Sequence, residues 1–330
     1  MIKKIYIIIS LVLAALTFGC VEKQQGEQLS ETRLLLDTYC TITIYGNVSS
    51  GILDEAFLLC EELEALFSIT IEGSDVWRIN NSGGLPVTVD PRTVELIRSG
   101  LVFGELSDGM FDITIGRLSR LWDFGGEKNV PSEQELEAAR ETVDYRQVTI
   151  DGNTVQLKNP EAWIDLGAIA KGYIAHEIKN FLAARDVTGA LIDIGRDVVA
   201  MGSRQDGNPW RIALQKPFGG YGEWLGVIEI EQASVLGSGT YERQFEKDGI
   251  LYHHILDPNT GKPVVTDIIS ATVITETAVL GEGLSTIAVL LGSEKAQEVL
   301  TRVSGFIGAV ILLDDCELLK IGNVDFVDGG

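Results

Sequence analysis

Basic side chains are in short supply in this chain, and so are histidine and cysteine. There are 26 Lys and Arg against 48 Asp and Glu, a formal net charge of −22 over 330 residues. A field of that sign repels nucleic-acid backbones, so a nucleic-acid partner is excluded. The four cysteines, Cys20, Cys40, Cys60 and Cys316, form no C-x-x-C pair and no zinc spacing, which excludes a zinc module or a disulfide scaffold. Cys40, Cys60 and Cys316 lie in apolar patterns and read as buried thiols. No G-x-x-x-x-G-K-[ST] run occurs, so the chain is not a P-loop protein. There is no internal repeat, no low-complexity block and no long linker.

What is present begins at the N-terminus. Lys3 and Lys4 precede an apolar run from Ile5 to Phe18, followed by Gly19-Cys20. The run has the length of a signal-peptide core and is short for a membrane span. A small residue before a cysteine at its end is a lipoprotein pattern, although Leu16 and Phe18 depart from the usual lipobox. The expectation is a signal over 1–19, lipid on the Cys20 thiol, a polar tether over 20–30 and a folded unit over 31–330. The protein would be exported and held by its lipid on a bacterial membrane, facing the periplasm or the cell exterior.

Hydrophobic periodicity predicts helices over 52–67, 91–106, 131–142, 168–184, 282–291 and 294–302. Strands are predicted over 39–45, 147–150, 154–157, 189–194, 210–214, 226–230, 271–274 and 309–313. Asn80 to Gly84 reads as a loop. Strands and helices come in mixed runs without regular alternation, so the fold class is α+β.

Four segments set polar groups against apolar elements. Ser107 to Gly116 (SDGMFDITIG) flanks two large apolar residues with acids. Trp163 to Gly172 (WIDLGAIAKG) runs from a strand end into a helix start, where small residues and a helix N-terminus suit a phosphate and Lys171 supplies charge. Tyr252 to Pro263 (YHHILDPNTGKP) holds two of the three histidines. Glu282 to Thr286 (EGLST) places a carboxylate and a hydroxyl four apart on one helix face, hard oxygen donors of the kind magnesium prefers. An acidic protein that handles phosphates needs such a cation. Each segment also has a plain structural reading: Asp165 as a helix cap, Lys171 as a solvated charge, the histidines as core and surface residues.

Together, the runs SDGMFDITIGRL…LWDFG, IDLGAIAKGY, PWRIALQKP, GSGTYERQF, HHILDPNTGKP and EGLSTIAVLLG resemble the ApbE family, the FAD:protein FMN transferases. The resemblance runs from about Leu34 to the C-terminus and implies an α+β flavin-transferase fold. It implies FAD as substrate, contacted by Met110, Phe111, Asp112, Asp165, Lys171 and the backbone near Ile255, with Asn80 near the flavin. It implies Mg2+ held by the Ala168 carbonyl, Glu282 and Thr286, with Ser285 adjacent. His254 is the candidate general base, with His253 the alternative. The implied partner is an acceptor protein carrying a D-x-x-[SG]-[AT]-T motif, such as an exported redox-complex subunit. FAD hydrolysis to FMN and AMP is the alternative activity, and a non-catalytic flavin-binding lipoprotein the alternative class. The chain departs from the family at Glu282, where Asp is usual, at Asp193 and Arg196 in place of Asn and Gly in N-I-G-G-D, and at Gly237 in place of Thr. Asp267 to Thr272 itself resembles the acceptor motif, and is read as the entry to a buried strand.

Overall fold

The structure, a computed structural model, describes residues 28–46, 49, 51–204, 206–220 and 222–329. The predicted signal and Cys20 lie outside the described residues. The fold is built on one eight-stranded sheet whose neighbours are all antiparallel. In chain order and in spatial order its strands are β1 (Gln28–Leu35), β2 (Thr38–Tyr45), β3 (Gly189–Ile194), β4 (Asp197–Met201), β5 (Ser234–Gly239), β6 (Ile268–Thr275), β7 (Phe306–Leu313) and β8 (Leu318–Gly322). β1 begins inside the stretch read as tether: Gln28 pairs with Tyr45 across a hairpin that turns at Leu36 and Asp37, both at positive φ.

The helices are α1 (Gly51–Phe67), α2 (Asp75–Asn80), α3 (Pro91–Leu106), α4 (Gly116–Trp122), α5 (Glu133–Arg140), α6 (Ala170–Ala183), α7 (Ala278–Leu291) and α8 (Ser293–Leu300). Asn80 is therefore the last residue of a helix and not part of a loop. α3 starts as its sequence demands, with Asp90 accepting the Arg92 amide and Pro91 at the first position. α5 starts with a Ser132/Glu135 capping box. α7 starts four residues before its predicted position, because Gly281 and Gly283 interrupt the apolar repeat without interrupting the helix.

One face of the sheet packs against α1, α6 and α7, with α3 lying against α7, through Cys40, Ile42, Ile44, Ile192, Val199 and Val273 among others. The opposite face, with Val198, Ala200, Val235, Ile274 and Val310, is covered by a three-stranded sheet (Trp210–Gln215, Trp224–Ile230, Phe326–Asp328). β4 is buried at every residue because both of its faces are covered. That is why its run, DVVAM, shows no alternation and escapes a strand search. A third cluster joins α4 and α5 to Leu256, and the Trp122 indole N–H donates to the Gly261 carbonyl at 2.7 Å. Thr272 lies mid-strand in β6, half-buried, opposite Gly237 on one side and Val310 on the other.

Candidate active site

The centre of the site is Lys171, in the first turn of α6. Its ammonium bonds the Asp197 carboxylate and lies 3.0 Å from Glu282 Oε1. Asp197 and Glu282 are each 3% exposed, so neither charge is solvated and each depends on its partners. Burial alone would lower the Lys171 pKa, but the carboxylates of Asp197 and then Glu282 outweigh it and the pKa is raised. Burial pushes the Glu282 carboxyl up, and Lys171 opposes that shift.

Two backbone departures put these groups together. In an unbroken helix the Gly172 amide would bond the carbonyl of Ala168, four residues back. Here it donates to Glu282 Oε2 at 2.5 Å, so Ala168, an exposed residue just ahead of α6, keeps its carbonyl for another partner. The second departure is between β4 and β5, whose ladder ends at Val198–Val235. Beyond it the Asp197 carboxylate accepts the Gly237 amide at 3.1 Å. Where the strands part, Ser238 Oγ meets Ser285 Oγ at 2.8 Å and Thr286 Oγ1 at 3.0 Å. Ser285 also donates to the Glu282 carbonyl at 2.9 Å and is fully buried, whereas Thr286 is only half-buried.

The other predicted residues reach the site through backbone stitching. The Asp165 amide donates to the Ile113 carbonyl at 2.8 Å, and Gly116 donates to Trp163 at 3.0 Å, which joins the first two segments. Asn80 brackets Ile164, donating to its carbonyl at 2.8 Å and accepting its amide at 2.7 Å. Its amide is thereby committed to holding the irregular segment before Asp165, where the expected strand end is replaced by a single bridge between Ile115 and Trp163. Asp165 Oδ1 accepts the Gly167 amide at 2.9 Å, which tightens the turn into α6. Asp112 is buried and accepts from the Thr114 amide and hydroxyl and the Tyr145 amide at 2.6–2.9 Å. Burial raises its pKa and those bonds resist the rise. Phe111 packs edge-on against Phe103, so its side chain serves the core. Met110 Sδ accepts from Asn259 at 3.3 Å, tying this segment to the histidine loop.

On that loop the His254 amide donates to the Arg243 carbonyl, and the Ile255 carbonyl accepts the Val264 amide at 2.9 Å. His253 Nε2 contacts the Val264 carbonyl at 3.1 Å. Among the described residues the buried Nδ1 atoms of His253 and His254 have no hydrogen-bond partner. Burial lowers the His254 pKa to about 4, with the charges of Arg243 and, more weakly, Lys171 adding to the effect. The imidazole is therefore neutral at pH 7 and a weaker base than a solvated histidine.

Three residues at this centre received no role in the sequence reading: Asp197, Ser238 and Glu242. Glu242 is raised by burial and by the charge of Asp197. All three lie within motif runs (DIGRD, GSGTYERQF), but only the sheet brings those runs to Lys171.

The ApbE family model matches residues 36–311. This chain belongs to the ApbE family. It is 32% identical over 245 residues to an FAD:protein FMN transferase of Vibrio cholerae, covering 73% of each chain. It is 31% identical to one of Treponema pallidum, covering 94% of this chain and 91% of the relative. Among solved structures it resembles the ApbE protein of Thermotoga maritima, with a TM-score of 0.83 and 32% identity over 89% of this chain and 97% of that one. The flavin transferase ApbE of Vibrio cholerae follows with a TM-score of 0.80 and 26% identity, over 91% and 97%.

The departures from the ApbE pattern now have locations. The longer Glu282 spans from α7 to both the Gly172 amide and Lys171. A Cβ at Gly237 would have its nearest contact, Thr272 Oγ1, at 3.7 Å, so the backbone there leaves room for a Cβ. Gly195 and Arg196 form the two-residue turn between β3 and β4, both at positive φ (63° and 76°), which is the hairpin geometry that favours glycine. Asp193 Oδ1 accepts the Arg196 amide at 2.7 Å and closes that turn.

Proposed function

We propose that this chain is a magnesium-dependent FAD:protein FMN transferase, which moves FMN from FAD to a Thr or Ser hydroxyl of an acceptor protein and releases AMP. Its relatives carry that name, at identities near 30% over most of the chain. The observation that carries the reading is the Lys171 centre: two buried carboxylates share one ammonium, beside a carbonyl released from its helix. Asp197 and Glu282 together outweigh Lys171 by one negative charge. With the Ala168 carbonyl and the Thr286 hydroxyl they make a hard-oxygen set with charge to spare, which fits a small divalent cation. Glu282, Thr286 and the Ala168 carbonyl would hold it, with Ser285 fixing the Glu282 backbone. Bound there, magnesium would supply Lewis-acid stabilisation of phosphate charge.

The chain's own groups do the rest. Lys171 and the start of α6 offset the negative charge of the FAD pyrophosphate. The Asp165 turn and the backbone at Met110 to Asp112 shape the floor on which FAD lies, and the loop backbone at Ile255 lines its edge. The acceptor hydroxyl attacks the phosphorus on the riboflavin side. A P–O bond to the acceptor forms, the bridging P–O bond breaks, and AMP carries away the pyrophosphate oxygen. Neutral His254 takes the hydroxyl proton.

The acceptor is proposed to carry D-x-x-[SG]-[AT]-T and to belong to an exported redox complex. The enzyme itself is proposed to be cleaved before Cys20, lipid-anchored there and exported, with residues 31–330 as the transferase unit. The test is mass spectrometry of an acceptor domain mixed with the protein, FAD and Mg2+. An FMN adduct on the motif hydroxyl is expected, lost with chelator and reduced at least 100-fold by His254→Ala. AMP release at the same rate without acceptor would replace transfer by FAD hydrolysis.

A further inference from the structure

Arg196 occupies a position where an L-residue is strained. Its φ of 76° is left-handed, a conformation in which the Cβ of a non-glycine residue crowds the backbone. The two-residue turn it shares with Gly195 accepts glycine at both places without that crowding. Nothing in the turn requires the Arg196 side chain: it is exposed, and only its backbone amide is engaged, by Asp193. Among the described residues its guanidinium forms no ion pair. An exposed guanidinium with no ion-pair partner, carried on a residue whose backbone conformation favours glycine, is available to bind an anion.

Its place in the fold says which anion. The next residue is Asp197, whose carboxylate bonds Lys171. The Arg196 charge is felt by Glu242 and Tyr241, and Glu242 in turn senses Lys171. Tyr241 packs edge-on against Phe218, an exposed ring at φ 59°, with centroids 5.8 Å apart. Asp197 accepts the Gly237 amide, and Tyr241 follows two residues after the end of β5, so the end of the sheet at which Asp197 meets Lys171 carries an exposed cation and a pair of aromatic rings, the two chemistries a flavin nucleotide presents in mirror image.

We propose that Arg196 is a substrate-binding residue that clamps a phosphate oxygen of FAD at the mouth of the Lys171 centre, with the Tyr241–Phe218 pair as the adjoining aromatic wall. The proposal rests on the FAD-dependent reading above and adds to it a residue and a role. It makes the strain at position 196 the cost of affinity.

The test is calorimetric titration of the full-length protein and its Arg196→Gly and Arg196→Gln variants with FAD and, separately, with riboflavin, which has no phosphate. Removing the guanidinium is expected to weaken FAD about tenfold in both variants and to leave riboflavin within twofold, since a charge-assisted bond is worth roughly that factor. Arg196→Gly should at the same time melt at a higher temperature than the parent, whereas Arg196→Gln keeps the strain and should not. Equal FAD affinity in the parent and both variants overturns the proposal and leaves the functional reading standing. A parent that binds no FAD overturns both.

Discussion

At the scale of the residue, His254 shows how placement sets chemistry. Free histidine titrates near 6.5, and this one is pushed down to about 4 by burial first and then by neighbouring positive charge. The folded state thus refuses a proton that the unfolded state accepts between those two values. Stability from this group is complete above about 6.5 and is lost as pH falls through the window toward 4. Comparing the parent with His254→Asn isolates the effect from the carboxyls. Denaturant melts at pH 7 and pH 4.5 should show the parent losing up to about 3 kcal/mol more than the variant. Equal losses would mean that the imidazole titrates normally. Asp165, Lys171, Glu282 and Thr286 could be singled out from sequence because their residue types suit phosphate and magnesium. Asp197 could not, because its run DIGRDVVAM gives no sign that the turn points its carboxylate at Lys171.

At the scale of the element, the site is a crossing of α6 and α7. Gly172 makes that crossing possible: a Cβ there would stand 2.6 Å from the Ala278 carbonyl and 2.9 Å from Glu282 Oε2. The first of these is backbone and cannot swing away. Gly172→Ala must therefore push α6 from α7 and break the 2.5 Å bond that frees the Ala168 carbonyl. It is expected to cost about 1–3 kcal/mol by denaturant melts. The same variant should weaken the rise in melting temperature that Mg2+ is expected to give the parent. A variant as stable and as metal-responsive as the parent would remove the crossing from the account. The helices themselves were legible from periodicity and caps, as α3 and α5 show. The N-terminal turn of α7 was hidden by Gly281 and Gly283, whose reason is close packing: a Cβ on Gly283 would meet the Phe103 ring at 2.4 Å.

At the scale of the whole molecule, the net charge of −22 sets the response to salt. Many of the ion pairs are exposed, such as Arg146–Asp144 and Arg302–Glu298, and contribute little. Self-repulsion among the remaining acids dominates. Raising NaCl from about 10 mM to about 300 mM shortens the Debye length and is expected to raise the melting temperature by a few degrees. A fall would mean that the ion pairs, and not the repulsion, govern.

The sequence by itself determined the fold class and the family, because motif runs and hydrophobic periods are local properties that survive without coordinates. Only the tertiary structure decided which of those runs meet. Burial on both faces conceals β4 from an alternation test, and the fold brings Asp197 and Glu282 to Lys171 and Ser238 to Ser285 and Thr286. Convergence depends on contacts 26 positions apart for Lys171–Asp197, 47 for Ser238–Ser285 and 110 for Gly172–Glu282, wider than any window in which helix or strand periodicity is read.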